Sequence, residues 1–229
     1  MPDPPREPIT RLVRRLRRRP ARDAGAGPRL RIGVEAAVLG GLLALYDPLN
    51  RGPARWSPEI PLDEHIPLVK QMVVPYVSVL ALGPLTLLFL LVTSVRLARS
   101  MIISGILLLV AAYPFYVFAQ THMTRPEVTG DDVFAGLLRA VYGGDDAYNC
   151  FPSLHTGFSV IIAVHWLRHD RRAGAPVALW CALIIASTLL VRQHYIADML
   201  AGLAVAALAC WTALRVVGPP QLSERASSL

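Results

Sequence analysis

Two continuous apolar runs, residues 72–94 and 101–119, constrain this chain more than any other feature in it. Each is close to the roughly 20 residues that carry an α-helix across a bilayer. In hydrocarbon every backbone N–H and C=O must be satisfied by the chain itself, which leaves helices or a closed barrel. Runs this long, without strand-like alternation, read as helices. The other apolar stretches extend the series to six spans, near 32–47, 72–94, 101–119, 153–167, 176–191 and 196–214. The first is short and carries Glu35 and the pair Gly40–Gly41. The fourth and fifth are also short, which is tolerable where a helix end is covered by protein or lines a wet cavity. Only 17% of residues are charged, against about 25% in soluble domains. The expected fold class is all-α, a polytopic membrane bundle of six transmembrane helices.

Basic residues set the expected orientation. Ten arginines fall between Arg6 and Arg31, ahead of the first apolar run. With the N-terminus inside, these join Arg96, Arg99, Arg168, Arg171, Arg172, Arg215 and Arg225 on the cytoplasmic side, seventeen of the 23 basic residues. Glu59, Asp63, Glu64, Glu127, Asp131, Asp132, Asp145 and Asp146 fall outside. Dropping the first span would reverse the arginine cluster, so the positive-inside rule supports six spans with both termini cytoplasmic. Three parts follow: an arginine-rich, disordered cytoplasmic tail at 1–31, a membrane domain at 32–217 and a short cytoplasmic tail at 218–229. The net charge of +7 is concentrated in the first part, which suits anionic lipid rather than nucleic acid. The polar start does not read as a cleaved signal peptide. Cys150, Cys181 and Cys210 show no zinc or CxxC spacing and read as packing residues. The long loops 48–71 and 120–152 both lie outside, the first along the membrane surface.

Three polar stretches interrupt this apolar order. "NCFPSLHTGFSV" at 149–160 puts Pro152, Ser153 and His155 at the mouth of a helix. "VRQHYIADMLAG" at 191–202 sets His194 and Asp198 at i, i+4, one turn apart on a single helical face. "THMTRPEV" brings Arg125 after the third span. The alternating topology puts all three at the outer rim. Asp198 would be a costly ion within the membrane unless partnered, and the His194 ring N–H is the partner on offer. That pairing would fix the tautomer and leave the other ring nitrogen free as base or nucleophile. Pro152 suits a first helical turn, Ser153 can cap or donate, and the helix start attracts anions. Arg125 and Arg192 suit bidentate recognition of phosphate. Two imidazoles, a carboxylate and two guanidiniums together point to phosphate chemistry. A zinc site built from His155, His194 and Asp198 would have enough ligands, but the arginines would repel a cation. A transporter would carry broken helices at the midplane, whereas these charges sit at the rim.

"CFPSLHTG", "RQHYIADMLAG" and the upstream "RPEV" resemble the type-2 phosphatidic acid phosphatase superfamily over roughly residues 60–210. The likeness is nearer to its inositolphosphotransferase branch, which contains fungal inositol phosphorylceramide synthase; "VVPYVSVLALGPL" at 73–85 is similar to that branch's second helix. The resemblance implies a six-helix catalytic core and a transfer of phosphoryl or inositol-phosphoryl groups from a phospholipid to an alcohol, without cofactor or metal. Transfer to water, as in a lipid phosphatase acting on phosphatidate or isoprenyl phosphates, is the alternative. It further implies His194 as the nucleophile of a phosphohistidine intermediate, Asp198 as its orienting carboxylate and His155 as general acid. Arg125, Ser153 and Arg192 fall where the family grips phosphate, and the site faces the extracytoplasmic side of a plasma membrane. Two positions depart from the superfamily pattern: Phe118 stands where a lysine is usual, and Ser187–Thr188 where Ser-Arg is usual, the cation being at Arg192 instead.

Overall fold

The computed structural model describes residues 26–218; the arginine-rich tail to residue 25 and residues 219–229 of the expected C-terminal tail lie outside the described residues. Eight α-helices follow in order: α1 (Ala26–Ala44), α2 (Tyr46–Leu49), α3 (Val73–Thr93), α4 (Val95–Phe118), α5 (Val133–Gly144), α6 (Leu154–His169), α7 (Arg171–Leu190) and α8 (Ile196–Val217). Among the described residues, extended pairing is limited to two isolated bridges, Trp56 with Thr121 and His122 with Tyr148. The chain divides into two units between Val34 and Glu35. Of the first unit the described residues contribute only the opening of α1, and the account below concerns the second.

The protein is an all-α membrane bundle. Five helices are long and apolar enough to cross a bilayer. The expected fourth span, α6, has 16 residues, about 24 Å at 1.5 Å per residue, short of the roughly 30 Å hydrocarbon core. Its shortness is matched by its position. It packs against α3, α4, α7 and α8 and so stands at the centre of the bundle, with Ile161 and Ile162 fully buried against Leu90, Leu108 and Ile184. Protein covers its start, where Ser153 and Thr156 are fully buried. Inside the bundle, Trp166 donates to the Thr86 hydroxyl at 2.9 Å, and a His165 ring nitrogen meets the Ser100 hydroxyl at 3.0 Å.

Single residues turn the chain between helices. Ser94 alone joins α3 to α4 and accepts the Leu97 N–H at 3.5 Å, while Asp170 alone joins α6 to α7 and accepts the Ala173 N–H at 2.7 Å. The Ala173 amide holds the Asp170 carboxyl below the usual carboxylate range. These caps replace the orphan partners of a helix start, and Ser94 lets α4 begin six residues before the expected 101. So tight a return from α6 to α7 needs Gly174, where a Cβ would lie 2.7 Å from the backbone of Trp166 and Leu167.

Glu35, the acid that made the first span doubtful by composition, accepts a bidentate pair from Arg99 of α4 at 2.9–3.0 Å. Two turns on, the Tyr113 hydroxyl donates to the Leu42 carbonyl. These contacts run α1 parallel to α4, as two helices entering from the same side must. Tyr113 is thereby buried.

The interval 120–152 is not one loop. Asp132 caps α5 by accepting the Phe134 and Ala135 amides at 3.1 and 3.0 Å and pairs with Lys70 at 2.5 Å. The Lys70 ammonium holds its carboxyl below the usual range. Twelve residues cannot cross a membrane, but Phe134, Ala135, Leu138, Val141 and Tyr142 recur at helical spacing and cover Val73, Tyr76 and Val191. The proline-rich 48–71 segment also packs inward. Buried Asp63 accepts the first amide of α8, Ile196 N–H, at 2.9 Å, and Val69 N–H reaches the Leu190 carbonyl at 2.8 Å.

At this end α8 meets α6 backbone to backbone. The Ser153 N–H donates to the Asp198 carbonyl at 3.0 Å, and a Cβ on Gly202 would sit 2.6 Å from the Ser153 carbonyl. A side chain there forces main chain to move.

Two outcomes follow. Arg99→Ala should destabilise the detergent-solubilised protein by about 2–3 kcal/mol, read as a lowered thermal midpoint, and the charge exchange Glu35→Arg with Arg99→Glu should recover most of it; no recovery would mean the pair is not specific. Gly202→Ala should cost about 1–3 kcal/mol through overpacking and depress activity further by shifting α6, whereas Gly83→Ala, whose new methyl would meet only Ile162 at 3.9 Å, should be tolerated.

Candidate active site

Helix α6 starts at the Ser153 cap, whose hydroxyl oxygen accepts the Thr156 N–H at 3.2 Å and so keeps its own O–H free to donate. Pro152 stands before the cap, not in the first turn, and its carbonyl accepts the Tyr116 hydroxyl at 2.8 Å. His155 is thus the second residue of the helix. Its ring lies flat on Tyr76 of α3, with centroids 4.2 Å apart and planes inclined by 12°.

The second histidine arrives from the end of α7. Arg192 adopts φ 52°, a left-handed conformation that terminates the helix. The amides of Gln193 and His194 then both donate to the Thr188 carbonyl, at 3.0 and 3.1 Å. This hook carries the His194 ring to a centroid distance of 6.3 Å from that of His155. The two imidazoles, 39 positions apart in the chain, therefore face each other at one end of the bundle, as the sequence expectation requires.

Asp198 is less directly engaged than its i, i+4 spacing suggests. His194 Nδ1 lies 3.0 Å from the Cys150 carbonyl oxygen but 3.6 Å from Asp198 Oδ2, too long for a hydrogen bond. Asp198 Oδ2 instead accepts the Tyr195 N–H at 2.8 Å, closing the start of its own helix. The consequence for the ring is unchanged and better determined. A carbonyl only accepts, so Nδ1 carries the proton and Nε2 presents its lone pair. The Asp198 carboxylate is fully buried beside the ring.

The expected phosphate ligands are distributed unevenly. Arg125 reaches the rim and donates to the carbonyls of Tyr142 (3.1 Å), Asp145 (2.6 Å) and Asp146 (3.3 Å) and to Gln193 Oε1 at 2.8 Å. Its guanidinium also lies 4.0 Å from Asp145 Oδ2. Arg192 donates to the Asp63 carbonyl at 2.5 Å, because its left-handed backbone turns the side chain towards the 48–71 segment. Ser153 stands two residues before His155, at the cap of α6. Among the described residues no three His, Cys, Asp or Glu side chains group as a metal-ligand cluster.

Several participants were invisible in the motifs. Tyr76 stacks on His155, and its only signal was membership of the "VVPY" segment. The Cys150 carbonyl orients His194, which no side-chain pattern reports. Asp145, expected as a solvated loop acid, accepts from Asn50 at 2.6 Å and Tyr46 at 3.3 Å. Burial pushes its carboxyl above the usual range, against the opposing pull of Arg125 and His194. Tyr195 is buried too, its hydroxyl donating to Glu59 at 3.2 Å.

No curated protein and no solved structure matches the chain. The PAP2 superfamily, however, matches residues 54–212, well over half of the chain and inclusive of α3 to α8 up to Thr212. With that match over well more than half of its length, the chain belongs to the PAP2 superfamily, whose members are in general phosphatases and phosphotransferases.

Proposed function

We propose that this protein is a metal-independent membrane phosphotransferase of the inositolphosphotransferase kind, moving a phosphoryl or inositol-phosphoryl headgroup from a phospholipid to an alcohol through a phosphohistidine. The observation that carries the reading is the pair of imidazoles 6.3 Å apart, with His194 Nδ1 directed to a carbonyl. In-line attack needs a nucleophile about 3–3.5 Å from phosphorus and an acid about 2.6–3.2 Å from the leaving oxygen. Rings separated by 6.3 Å leave room for one phosphoryl group between them.

His194 Nε2 attacks phosphorus, and the P–O bond to the leaving alcohol breaks. His155, protonated, delivers its proton to that oxygen. The developing imidazolium is stabilised by Asp198 at 3.6 Å, a term on the order of 4 kcal/mol at an effective dielectric near 20. An acceptor alcohol then returns its proton to His155 as it attacks the phosphohistidine. Ser153 and Arg125, whose Nε has no partner among the described residues, bind the phosphoryl oxygens, where electrostatic stabilisation is usually the largest contribution to rate; Arg192 joins them only if it leaves the Asp63 carbonyl. Charge balance supports a phosphodiester donor: Arg125 is partly offset by Asp145, which suits one negative charge better than the roughly two of a monoester. The concentration of Arg96, Arg99, Arg168, Arg171, Arg172 and Arg215 at the other end of the bundle supports an extracytoplasmic site, at the plasma membrane.

Turnover of labelled phosphatidylinositol, phosphatidate and an isoprenyl diphosphate, with and without acceptor alcohols, tests the reading: headgroup-bearing lipid product is expected, and release of free phosphate alone would make the protein a lipid phosphatase. His194→Ala should abolish turnover in a folded protein. His155→Ala should slow it about 10²- to 10⁴-fold and be rescued by substrates with good leaving groups. A group that must be protonated to act gives the rate an alkaline limb, and that limb should vanish in His155→Ala assayed with an activated substrate.

A further inference from the structure

The buried amides beside His194 are oriented by their neighbours. Gln193, its chain neighbour, is 4% exposed. Arg125 donates to the oxygen of its amide at 2.8 Å. Because a guanidinium cannot accept, that atom must be oxygen, and the NH2 group turns away from Arg125. Gln193 Nε2 is buried and has no hydrogen-bond partner among the described residues.

Asn149 repeats the pattern on the other side. It precedes Cys150, whose carbonyl holds the His194 ring. It is 2% exposed and adopts φ 53°, a conformation that asparagine tolerates better than most residues. Its Oδ1 accepts the Gln120 Nε2–H at 2.8 Å, and Gln120 is held in turn by the Leu49 carbonyl, to which it also donates at 2.7 Å. Asn149 Nδ2 again has no partner among the described residues. An unpaired buried donor costs about 1–3 kcal/mol. Two of them, one on the chain neighbour of His194 and one on the residue before the carbonyl that holds its ring, are retained most economically if something they bind spends part of the cycle there.

We propose that Gln193 Nε2 and Asn149 Nδ2 are phosphoryl-oxygen donors, two neutral amides completing the cradle around the group transferred to His194. Arg125 is then in part a positioning residue, locking the Gln193 amide with its N–H groups free. The proposal rests on the phosphotransfer reading above for the identity of the ligand, but not on the choice of acceptor. It also accounts for the diversion of Arg192, the cation nearest in sequence, to the Asp63 carbonyl. Preset neutral donors stabilise charge that develops on the phosphoryl oxygens without adding fixed positive charge to the site.

The test is calorimetric titration of the full-length, detergent-solubilised protein with inorganic phosphate, paired with thermal unfolding and with turnover. Gln193→Glu and Asn149→Asp keep the oxygen that Arg125 or Gln120 donates to and replace only the NH2 group. Each should weaken phosphate binding about tenfold to a hundredfold with the thermal midpoint nearly unchanged. Gln193→Ala, which deletes the amide, should lose affinity by the same order and serves if the acidic variant does not fold. Unchanged phosphate affinity in the Gln193 variants, or a wild-type protein that binds no phosphate, overturns the inference. Wild-type phosphate binding that depends on Gln193, with no turnover of any lipid, would instead overturn the phosphotransfer reading and leave the anion cradle standing.

Discussion

The site depends on one backbone contact, where the starts of α6 and α8 touch without a side chain between them. The Ser153 N–H binds the Asp198 carbonyl, and Gly202 lies under the Ser153 carbonyl at a distance no Cβ would permit. Both histidines are within a few residues of that contact. His155 is carried by the first turn of α6, and His194 by the strand of backbone entering α8. Any widening there would be passed to the separation between their rings. Interiors packed at crystal-like density transmit such displacements because there is little void to absorb them.

Around this contact several polar groups find partners distant in sequence. Glu35 meets Arg99, Asp63 meets the Ile196 amide, and Tyr116 meets the Pro152 carbonyl. In a low-dielectric environment an unmatched group of this kind is costly. The exceptions therefore stand out, and they include His155 Nε2, Asp198 Oδ1, Gln193 Nε2, Asn149 Nδ2 and Arg125 Nε, which have no partner among the described residues. On the proposed phosphotransfer reading, the amide and guanidinium N–H groups among them are donors held in reserve for a charged group, and stability is conceded locally for that purpose.

Much of this was legible in the residues. The apolar runs identified the membrane helices because a span needs length and continuity, and both are local properties. The pairing of "PSLH" with "HYIAD" was legible because helix alternation alone puts the start of one span and the end of another at the same face. Helix α5 was overlooked because a search for spans of about 20 residues passes over an amphipathic segment of 12, even with Asp132 marking its start. The shortness of α6 was seen, and its burial at the bundle centre is what makes that length workable.

Sequence alone determined that the chain spans a membrane, which way its charges are segregated, and that two imidazoles and a carboxylate gather at one end. Those follow from periodicity, span length and i, i+4 spacing, all of which act over a few residues. Only the tertiary structure decided which atom each group addresses. The His194 ring N–H goes to the carbonyl of Cys150, 44 positions away, rather than to Asp198 one turn on. Arg125 spends its donors on carbonyls and Gln193, and Arg192 turns from the rim to Asp63. Hydrogen bonds have a reach of about 3 Å, so their partners are chosen by the packing of whole helices and cannot be read from the order of residues along one of them.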